Sequence, residues 1–405
     1  MLPEVVIRIA TNLAPVVADR VRSSYWSDGV VTIHRLKQSG ELQSLSHALR
    51  EWPGAGEFER VTRYCGDAGH SLDVDDLAEW LLLRAAEADL PTAFAELEAY
   101  GASADYEATF TLWLSGLSVT TKLELADSIS LVPFKPEFWR ELAYVDADQV
   151  TFDASRDGIA SVSSILTTTV RHPKVLRPQD AAEGVPAESQ TFAREVYERL
   201  NIARLCCGIV EPREIAIQGR YARISASVPA HLRSGFGSHA LTPQARAGGY
   251  VYQDFVDRAR TLHEPLAKMS LDERAKLALP MEWLQRALHE RNDFLSCAIS
   301  LGIALESLLL EDEDTSELAY RLSLRGARLI AVDREERARV RRLFKAIYAL
   351  RSKTVHRGQL TYKAKDLAGR ANPAALLEDG IASAAHVTRT IILRRGIDWS
   401  EFDIS

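Results

Sequence analysis

The sequence predicts an α+β protein of several regions, in which a helical N-terminal segment and a strand-rich middle region precede an all-helical C-terminal bundle. Three observations support this prediction. Apolar residues recur at helical spacing within residues 1–104, alternate with polar residues in much of 105–250, and return to helical spacing over 262–398. At 405 residues and 46% hydrophobic, the chain can bury at least one full core, and its length suggests two or three domains.

The N-terminal region is expected to be mainly helical. Its clearest segment is 73–103, where Leu77 and Trp80 share one helical face. Pro91 is expected to begin a second helix, because proline is tolerated in the first turn. Gly101 is expected to end that helix in the left-handed conformation.

The middle region, residues 105–250, begins with a strand pattern in which Phe110, Leu112 and Leu114 alternate with polar residues. A loop rich in Gly, Ser and Pro over 227–249 closes it. We expect a flexible connector there, since no strand, helix and Gly-Lys-Ser surround its glycines as in a phosphate-binding loop. Further elements are predicted between these two: strands within 122–134, 159–176 and 213–229, and a helix over 188–208.

The C-terminal region, residues 262–398, has the pattern of an antiparallel helical bundle with well-marked ends. One long helix is expected from about 281 to 310. Gly358 is expected to end the third helix of the bundle. Helix starts are predicted from capping residues at four places: Ser270 with Glu273, Asp314 with Glu317, Asp333 with Glu336, and Asn372 with Pro373.

Charge is distributed unevenly along the chain. The whole chain carries −7, but residues 321–365 contain fourteen Lys or Arg against three acids, so this segment carries +11 and the rest −18. A concentrated positive segment in an acidic chain is typical of a surface that binds a polyanion. A solvated helix face is the alternative that charge alone leaves open.

Composition also argues against several classes of protein and site. The opening MLPEVVIRIA has no basic segment followed by an apolar run, and nowhere do eighteen apolar residues occur together, so we expect a cytoplasmic protein without membrane contact. The four cysteines include no C-x-x-C, and we expect them to be reduced and structural. No set of Cys, His and carboxylates has metal-ligand spacing, so neither a metal site nor another cofactor is predicted.

One cation interrupts an apolar helical face. In the arginine-rich helix, Val340, Phe344 and Ile347 mark the buried side, and the next position along it is Arg351. A guanidinium there must be paired or open to a cleft, since burying an unpaired charge costs several kcal/mol. His356 follows five residues later, about 140° around an ideal helix. The two residues could converge if the helix frays, or a second subunit could supply the partner.

Three strings around this helix occur in a characteristic order: LGIALESLLL at 301–310, LAYRLSLRGARLI at 318–330 and REERARVRRLFKAIYALRSKTVHRG at 334–358. This order resembles the HEPN superfamily, and within it the Apea-like branch of bacterial proteins. The resemblance covers residues 280–395. A weaker similarity at 114–134 matches the strand region that often precedes this domain in such proteins.

The resemblance implies metal-independent endoribonuclease activity, as used in bacterial anti-phage defence and toxin-type growth arrest, with Arg351 and His356 as the catalytic pair. It also implies a homodimer through the C-terminal bundle, in which two copies of the signature line one cleft. Two positions depart from family patterns. Ser352 stands where many catalytic members carry Asn, Asp or His, and Gly358 replaces the tyrosine of the subgroup modified by a nucleotidyltransferase partner.

The residue types suit this chemistry. Cleavage by the 2′-hydroxyl of RNA needs a base, an acid for the leaving 5′-oxygen and a cation for the phosphorane. An imidazole suits either proton-transfer role, and a planar guanidinium suits the charge. Supporting or RNA-binding roles are predicted for Ser352, Lys353, Arg357, Tyr348, Arg341 and Arg342. A structural ion pair is the predicted role of Glu306 and Arg325.

Partners and alternatives follow from the same residues. RNA is the expected substrate, and the N-terminal 250 residues are expected to sense a phage-derived or cellular trigger. The alternative is a catalytically silent HEPN module that binds nucleotide or RNA and serves as a dimerisation platform. Retention of both Arg351 and His356 favours the enzyme. An enzyme of another class has little support, because the N-terminal region contains no H-E-x-x-H, G-x-S-x-G or phosphate-loop motif.

Overall fold

The computed structural model describes residues 2–23, 40–66, 68–134, 162–181, 184–230, 236–239, 248–311, 314, 316–357, 362–399 and 402. Over these residues the protein is a mixed α/β structure with eleven α-helices and two antiparallel sheets. The predicted combination of helices and sheet, with helices at the C-terminal end, is therefore confirmed. No helix in this part of the chain is long and apolar enough to cross a membrane.

The described part of the N-terminal region contains four helices, two of which start at aspartate caps. Asp73 opens a capping box, and Asp89 accepts a 2.7 Å hydrogen bond from the Thr92 N–H. The predicted stop at Gly101 is wrong, because this residue lies inside the last helical turn and the chain leaves the helix at Ser103 in an extended conformation. The helices are α1 (Glu4–Ser23), α2 (Glu41–Leu49), α3 (Val74–Glu87) and α4 (Leu90–Ala102).

Two short strands in this region were not apparent from its helical pattern. β1 (Val61–Cys65) and β2 (Ala68–Leu72) form a hairpin, and β1 also pairs with β7 (Val175–Pro178) of the middle region. Pairing therefore crosses the predicted boundary at residue 104. Short strands of this kind depend on their neighbours for stability, so their own periodicity is a weak signal.

The middle region forms a six-stranded antiparallel sheet. Its strands are β3 (Asp105–Ser115), β4 (Leu123–Ala126), β5 (Ile129–Pro133), β6 (Ser164–Pro173), β8 (Ala216–Ile224) and β9 (Phe236–His239). They lie in the order β4-β5-β6-β3-β8-β9, with β3 paired to β6 and to β8. β9 falls within the predicted loop 227–249, so this part of the connector is an edge strand held by β8.

One long helix, α5 (Ala187–Val210), packs on this sheet at the position that the sequence predicted. The ring of Tyr197 meets the ring of Phe110 edge-on, with centroids 5.3 Å apart. Near the end of α5, burial raises the pKa of the Cys207 thiol to about 12. All four cysteines of the chain are buried and free, which agrees with a structural role for them.

The C-terminal region contains six helices, and most of its predicted ends are confirmed. Ser270, Asp333 and Asn372 each accept a hydrogen bond from a backbone N–H in the first turn of the helix that follows. Arg395 and Gly396 both have left-handed backbones at the end of the last helix. The predicted stop at Gly358 lies outside the described residues. The helices are α6 (Gln253–Lys268), α7 (Leu271–His289), α8 (Phe294–Leu309), α9 (Leu318–Ile330), α10 (Arg334–Arg357) and α11 (Pro373–Arg394).

Two predicted features of the bundle are wrong. The long helix expected over 281–310 is two helices, because Asp293 caps a new one by accepting hydrogen bonds from two N–H groups of its first turn. Asp314 does not cap α9. Its carboxylate instead binds Arg325, and Glu317, the residue before α9, has a left-handed backbone and no side-chain cap.

The bundle packs directly against the middle region. Arg204 of α5 donates two hydrogen bonds of 2.6 Å to the carboxylate of Glu282 in α7. One turn further along α7, Gln285 accepts a hydrogen bond from the Ile215 N–H and donates one to the Arg213 carbonyl. These contacts border an apolar core that is continuous from the N-terminal helices to the bundle. The bundle is therefore supported by the rest of the chain.

Candidate functional site at the end of helix α10

Helix α10 carries both residues of the predicted catalytic pair. It begins after the Asp333 cap and continues without a break to Arg357. Four apolar residues predicted to face the core are all buried, and α10 packs against α9, α8 and α11. They are Val340, Leu343, Phe344 and Ile347.

Arg351 lies at the margin of this buried side, with 27% of its side chain exposed. Its stem packs on Gly302 of α8, where an added Cβ would lie 2.5 Å from the Arg351 Cγ. Its Nη2 lies 3.1 Å from Oε2 of Glu306. Its Nε has no hydrogen-bond partner among the described residues. The arginine is thus held at two points but only partly paired.

Glu306 lies one turn after Gly302 on α8, so the two residues hold the head and the stem of the same arginine. Burial raises the pKa of Glu306 above its ordinary value, and the positive charge of Arg351 acts in the opposite direction. The carboxylate form is therefore stabilised chiefly by this one cation. The pair is a contact between two helices, which the sequence analysis did not predict.

His356 lies in the last turn of α10, and its side chain is exposed. No hydrogen bond or ion pair joins it to Arg351 in the part of the chain that the structure describes. Because α10 remains helical through Arg357, the two side chains leave it about 140° apart. Fraying near Val355, which could have brought them together, does not occur, so one chain keeps the two residues apart.

Ser352 and Lys353 follow Arg351 directly along α10. Lys353 donates a 2.7 Å hydrogen bond to Asp366, and that bond is the main cause that lowers the pKa of the Asp366 carboxyl group. A phosphate would have to compete with Asp366 for Lys353. Ser352 is half-buried, and the side chain of Arg357 lies outside what the structure describes.

Tyr348, Arg341 and Arg342 are not equivalent in the structure. The Arg341 guanidinium lies 4.8 Å from the ring centroid of Tyr320 on α9, and Tyr348 lines an open groove of about 650 Å³ beside the same ring. Arg342 is exposed and lies about 100° further around α10. Tyr320 was not predicted as a site residue. A tyrosine immediately before the cation-rich segment 321–365 is the signal that could have revealed it.

Arg325 belongs to a second ion cluster, in which its acids are Asp314 at 2.6 Å and Glu311 at 3.4 Å, and not Glu306. Only 1% of the Arg325 side chain is exposed, and Nη1 donates to the Asp314 carboxylate at 2.6 Å and to the Leu309 carbonyl at 2.9 Å. Its guanidinium also lies 5.4 Å from the ring centroid of Trp399. These contacts join α8, α9 and the segment after α11.

The described residues contain no group of three or more His, Cys, Asp or Glu side chains placed to hold a metal ion. The end of α10 offers a partly paired guanidinium, an exposed imidazole and further cations. A guanidinium can donate two parallel hydrogen bonds to a phosphate, and an imidazole can transfer protons near neutral pH. This set of groups is suited to bind and act on a phosphodiester.

Comparison with known proteins does not assign a family. No family model matches the chain, and no curated protein or solved structure matches it at a significant level. The similarity to the HEPN superfamily therefore rests on the strings within residues 301–358 and stays a prediction.

Proposed function

We propose that this protein is a metal-independent endoribonuclease whose catalytic residues are Arg351 and His356. The observation that carries the proposal is the incomplete pairing of Arg351. Gly302 and Glu306 hold its side chain, yet this guanidinium with five N–H donors makes a single polar contact, at 3.1 Å, among the described residues. An arginine held in place with donors to spare is suited to stabilise a phosphorane. The resemblance to the HEPN superfamily supports the same function.

The proposed reaction starts with attack of an RNA 2′-hydroxyl on the neighbouring phosphorus, and the 5′-oxygen leaves. Arg351 stabilises the negative charge that develops on the phosphorane oxygens. His356, exposed at the end of α10, accepts the proton of the 2′-hydroxyl or donates one to the 5′-oxygen. Glu306 is a positioning residue in this scheme, because its role is to hold Arg351.

A second copy of the chain completes the site in this proposal. The reaction needs an acid and a base, and one chain supplies one His356, on a different side of α10 from Arg351. A two-fold homodimer through the C-terminal bundle supplies two of each. Glu306 already balances the charge of Arg351 within one chain, so the dimer is proposed for the chemistry and not to neutralise that charge. Light scattering of the full chain at micromolar concentration is expected to give the mass of a dimer. A strict monomer would contradict the proposed homodimer.

The proposed setting is bacterial anti-phage defence or toxin-type growth arrest in the cytoplasm, with the N-terminal 250 residues responding to a phage-derived or cellular trigger. Expression of the wild-type chain is expected to stop cell growth, whereas expression of the His356→Ala chain is expected to permit it. If growth stops equally with both chains, the toxicity does not depend on His356.

A catalytically silent module that binds nucleotide or RNA is the second candidate, and one observation favours it. No described contact joins Arg351 to His356, and Glu306 already occupies one nitrogen of the arginine. A silent module would bind RNA without cutting it. The two candidates therefore differ in one measurable property, which is the appearance of cleaved RNA.

Incubation of the full chain with RNA in excess EDTA distinguishes them. The proposal predicts that cleavage continues and that the products end in 2′,3′-cyclic phosphate. A strand that is 2′-deoxy at the mapped cleavage position should bind and remain intact. His356→Ala should keep its fold and lose activity by roughly a hundredfold or more, the usual scale for removing a general acid or base. Cleavage that stops in EDTA, or equal cutting of the deoxy strand, would contradict the proposal.

A further inference from the structure

One side of α10 is basic from its first turn to His356. On an ideal helix, nine residues fall within an arc of about 100° that extends about 33 Å along the axis, and seven of them are polar or aromatic. The other two are Ala338 and Val355, and the seven are Arg334, Arg337, Arg341, Lys345, Tyr348, Ser352 and His356. All seven are exposed or half-buried, and the two acids of α10, Glu335 and Glu336, lie outside this arc. We call this set of seven residues the basic face of α10.

An aromatic ring stands beside this face. Tyr320 of α9 is 42% exposed, the Arg341 guanidinium lies 4.8 Å from its ring centroid, and the Lys345 Nζ lies 5.9 Å from it. The open groove of about 650 Å³ next to the ring is lined by Tyr320, Lys345 and Tyr348, with Glu317 as its one acid. Exposed aromatic rings among cations are the usual means of binding unpaired bases and the backbone that links them.

We infer that the basic face of α10, together with Tyr320, is a track for single-stranded RNA that leads the substrate to His356. This inference rests on the proposed function and specifies its substrate class. Arg337, Arg341 and Lys345 contact successive phosphates along the track, and Tyr320 stacks on an unpaired base. A duplex keeps its bases stacked on one another, so it cannot use the Tyr320 contact.

Two neighbouring arginines, Arg341 and Arg342, lie on different sides of α10. Arg341 lies in the middle of the basic face and against Tyr320, whereas Arg342 lies about 100° away on the opposite side of Lys345 from Tyr348. Both are half-buried or exposed cations of the same helix turn. They form a matched pair in which only Arg341 belongs to the track.

Fluorescence anisotropy with a labelled single-stranded RNA tests the track, using the full chain with His356→Ala so that the RNA stays intact. Tyr320→Ala is expected to weaken binding by about 5- to 150-fold, the scale of one lost base-stacking contact, whereas Tyr320→Phe keeps it. A duplex of the same sequence should bind Tyr320→Ala and its parent equally. Arg341→Glu should weaken binding at least tenfold more than Arg342→Glu. Thermal unfolding of each variant checks that the bundle stays folded.

The outcomes of this experiment separate the track from the ribonuclease activity. Equal RNA affinity of Tyr320→Ala and its parent, or equal losses for Arg341→Glu and Arg342→Glu, would overturn the track, and cleavage by the wild-type chain would leave the proposed activity standing. The expected binding pattern without any cleavage by the wild-type chain would support the track and overturn the activity. If Arg341→Glu fails to fold, the Tyr320 variants still test the track. Tyr320 is 42% exposed, so its replacement should not unfold the bundle.

Discussion

Two arginines of the bundle, Arg325 and Arg351, both pair with an acid, but they differ in how much of their bonding capacity is used. Arg325 is 1% exposed, and Nη1 alone bonds to both Asp314 and a backbone carbonyl. Arg351 is 27% exposed, has one contact at 3.1 Å to Glu306, and its Nε has no partner among the described residues. The hydrogen bonds of the first guanidinium stabilise the fold. The second retains donors for a ligand on its terminal nitrogens, whereas its Nε is buried.

This difference indicates which of the two cations the fold requires. Removing one partner of a buried ion pair leaves an uncompensated charge and costs about 3–5 kcal/mol. A partly exposed pair contributes about 0–1 kcal/mol. Stability should therefore depend on the Arg325 pair, and activity on the Arg351 pair.

Asp314→Ala is expected to have the largest effect on stability. It leaves Arg325 buried without its closest acid, so the free energy of unfolding should fall by about 3–5 kcal/mol in urea at neutral pH. Glu306→Ala is the matched change at the other pair and should cost about 1 kcal/mol or less. Equal losses for the two variants would contradict the distinction between the two arginines.

Lowering the pH should change the stability contributions of Asp314 and Glu306 in opposite directions. Burial alone would raise the pKa of Asp314, but hydrogen bonds from the Glu311 N–H and from Arg325 more than offset it, so its pKa is lowered from the ordinary 3.8. The stability that Asp314 contributes is thus full above that value and is lost as the pH falls through the lower folded pKa. The raised pKa of Glu306 gives a contribution that declines as the pH rises above the ordinary 4.5. The stability gap between wild type and Asp314→Ala should therefore narrow only below about pH 3.8.

Gly302→Ala should impair activity through the position of Arg351. The new methyl group would lie 2.5 Å from the Arg351 Cγ and 2.9 Å from its Cβ, so the side chain must move. Gly380→Ala is the matched control, because its methyl group would lie 2.5 Å from Ile347 on the same helix α10. Each should cost up to about 1–3 kcal/mol by overpacking. Only Gly302→Ala should slow RNA cleavage by more than its loss of stability explains. Equal rates for the two variants would argue against Gly302 as a positioning residue.

Lys353→Ala should have the smallest effect on stability. The Lys353 side chain is 35% exposed and that of its partner Asp366 is 21% exposed. The free energy of unfolding should therefore change by about 0–1 kcal/mol, and this change should be smaller in high salt. Chemical denaturation at low and high salt measures this change. A loss as large as that of Asp314→Ala would show that this end of α10 is held by Lys353.

The elements predicted correctly are those whose signals are local. The caps at Asp333 and Asn372 were predictable because a side-chain oxygen and the N–H groups that it accepts lie within one turn. The buried side of α10 was predictable because its apolar residues keep helical spacing. Local signals also mislead when a tertiary contact competes for the same group, as at Asp314, whose carboxylate binds Arg325 instead of capping α9.

The features that the sequence did not reveal depend on contacts between distant parts of the chain. β1 is stabilised by pairing with β7, more than a hundred residues away. Glu306 and Arg351 lie on different helices, and nothing in either helix alone indicates that they meet at 3.1 Å. The position of Gly302 opposite the Arg351 stem is likewise a property of how α8 packs on α10. The candidate catalytic residues could be named from the sequence, whereas the residues that hold them could not.

Cleavage by Arg351→Met, measured together with its unfolding, tests the central claim most directly. This change keeps an apolar stem against Gly302 and removes the guanidinium. We expect the cleavage rate to fall by about a hundred- to a thousandfold, the scale for losing one group that stabilises charge in a transition state, while the free energy of unfolding changes by about 1 kcal/mol or less. Arg339→Met, which changes an exposed cation of the same helix outside the basic face, should cleave as the wild type does. A folded Arg351→Met protein that cleaves RNA at the wild-type rate would contradict the account.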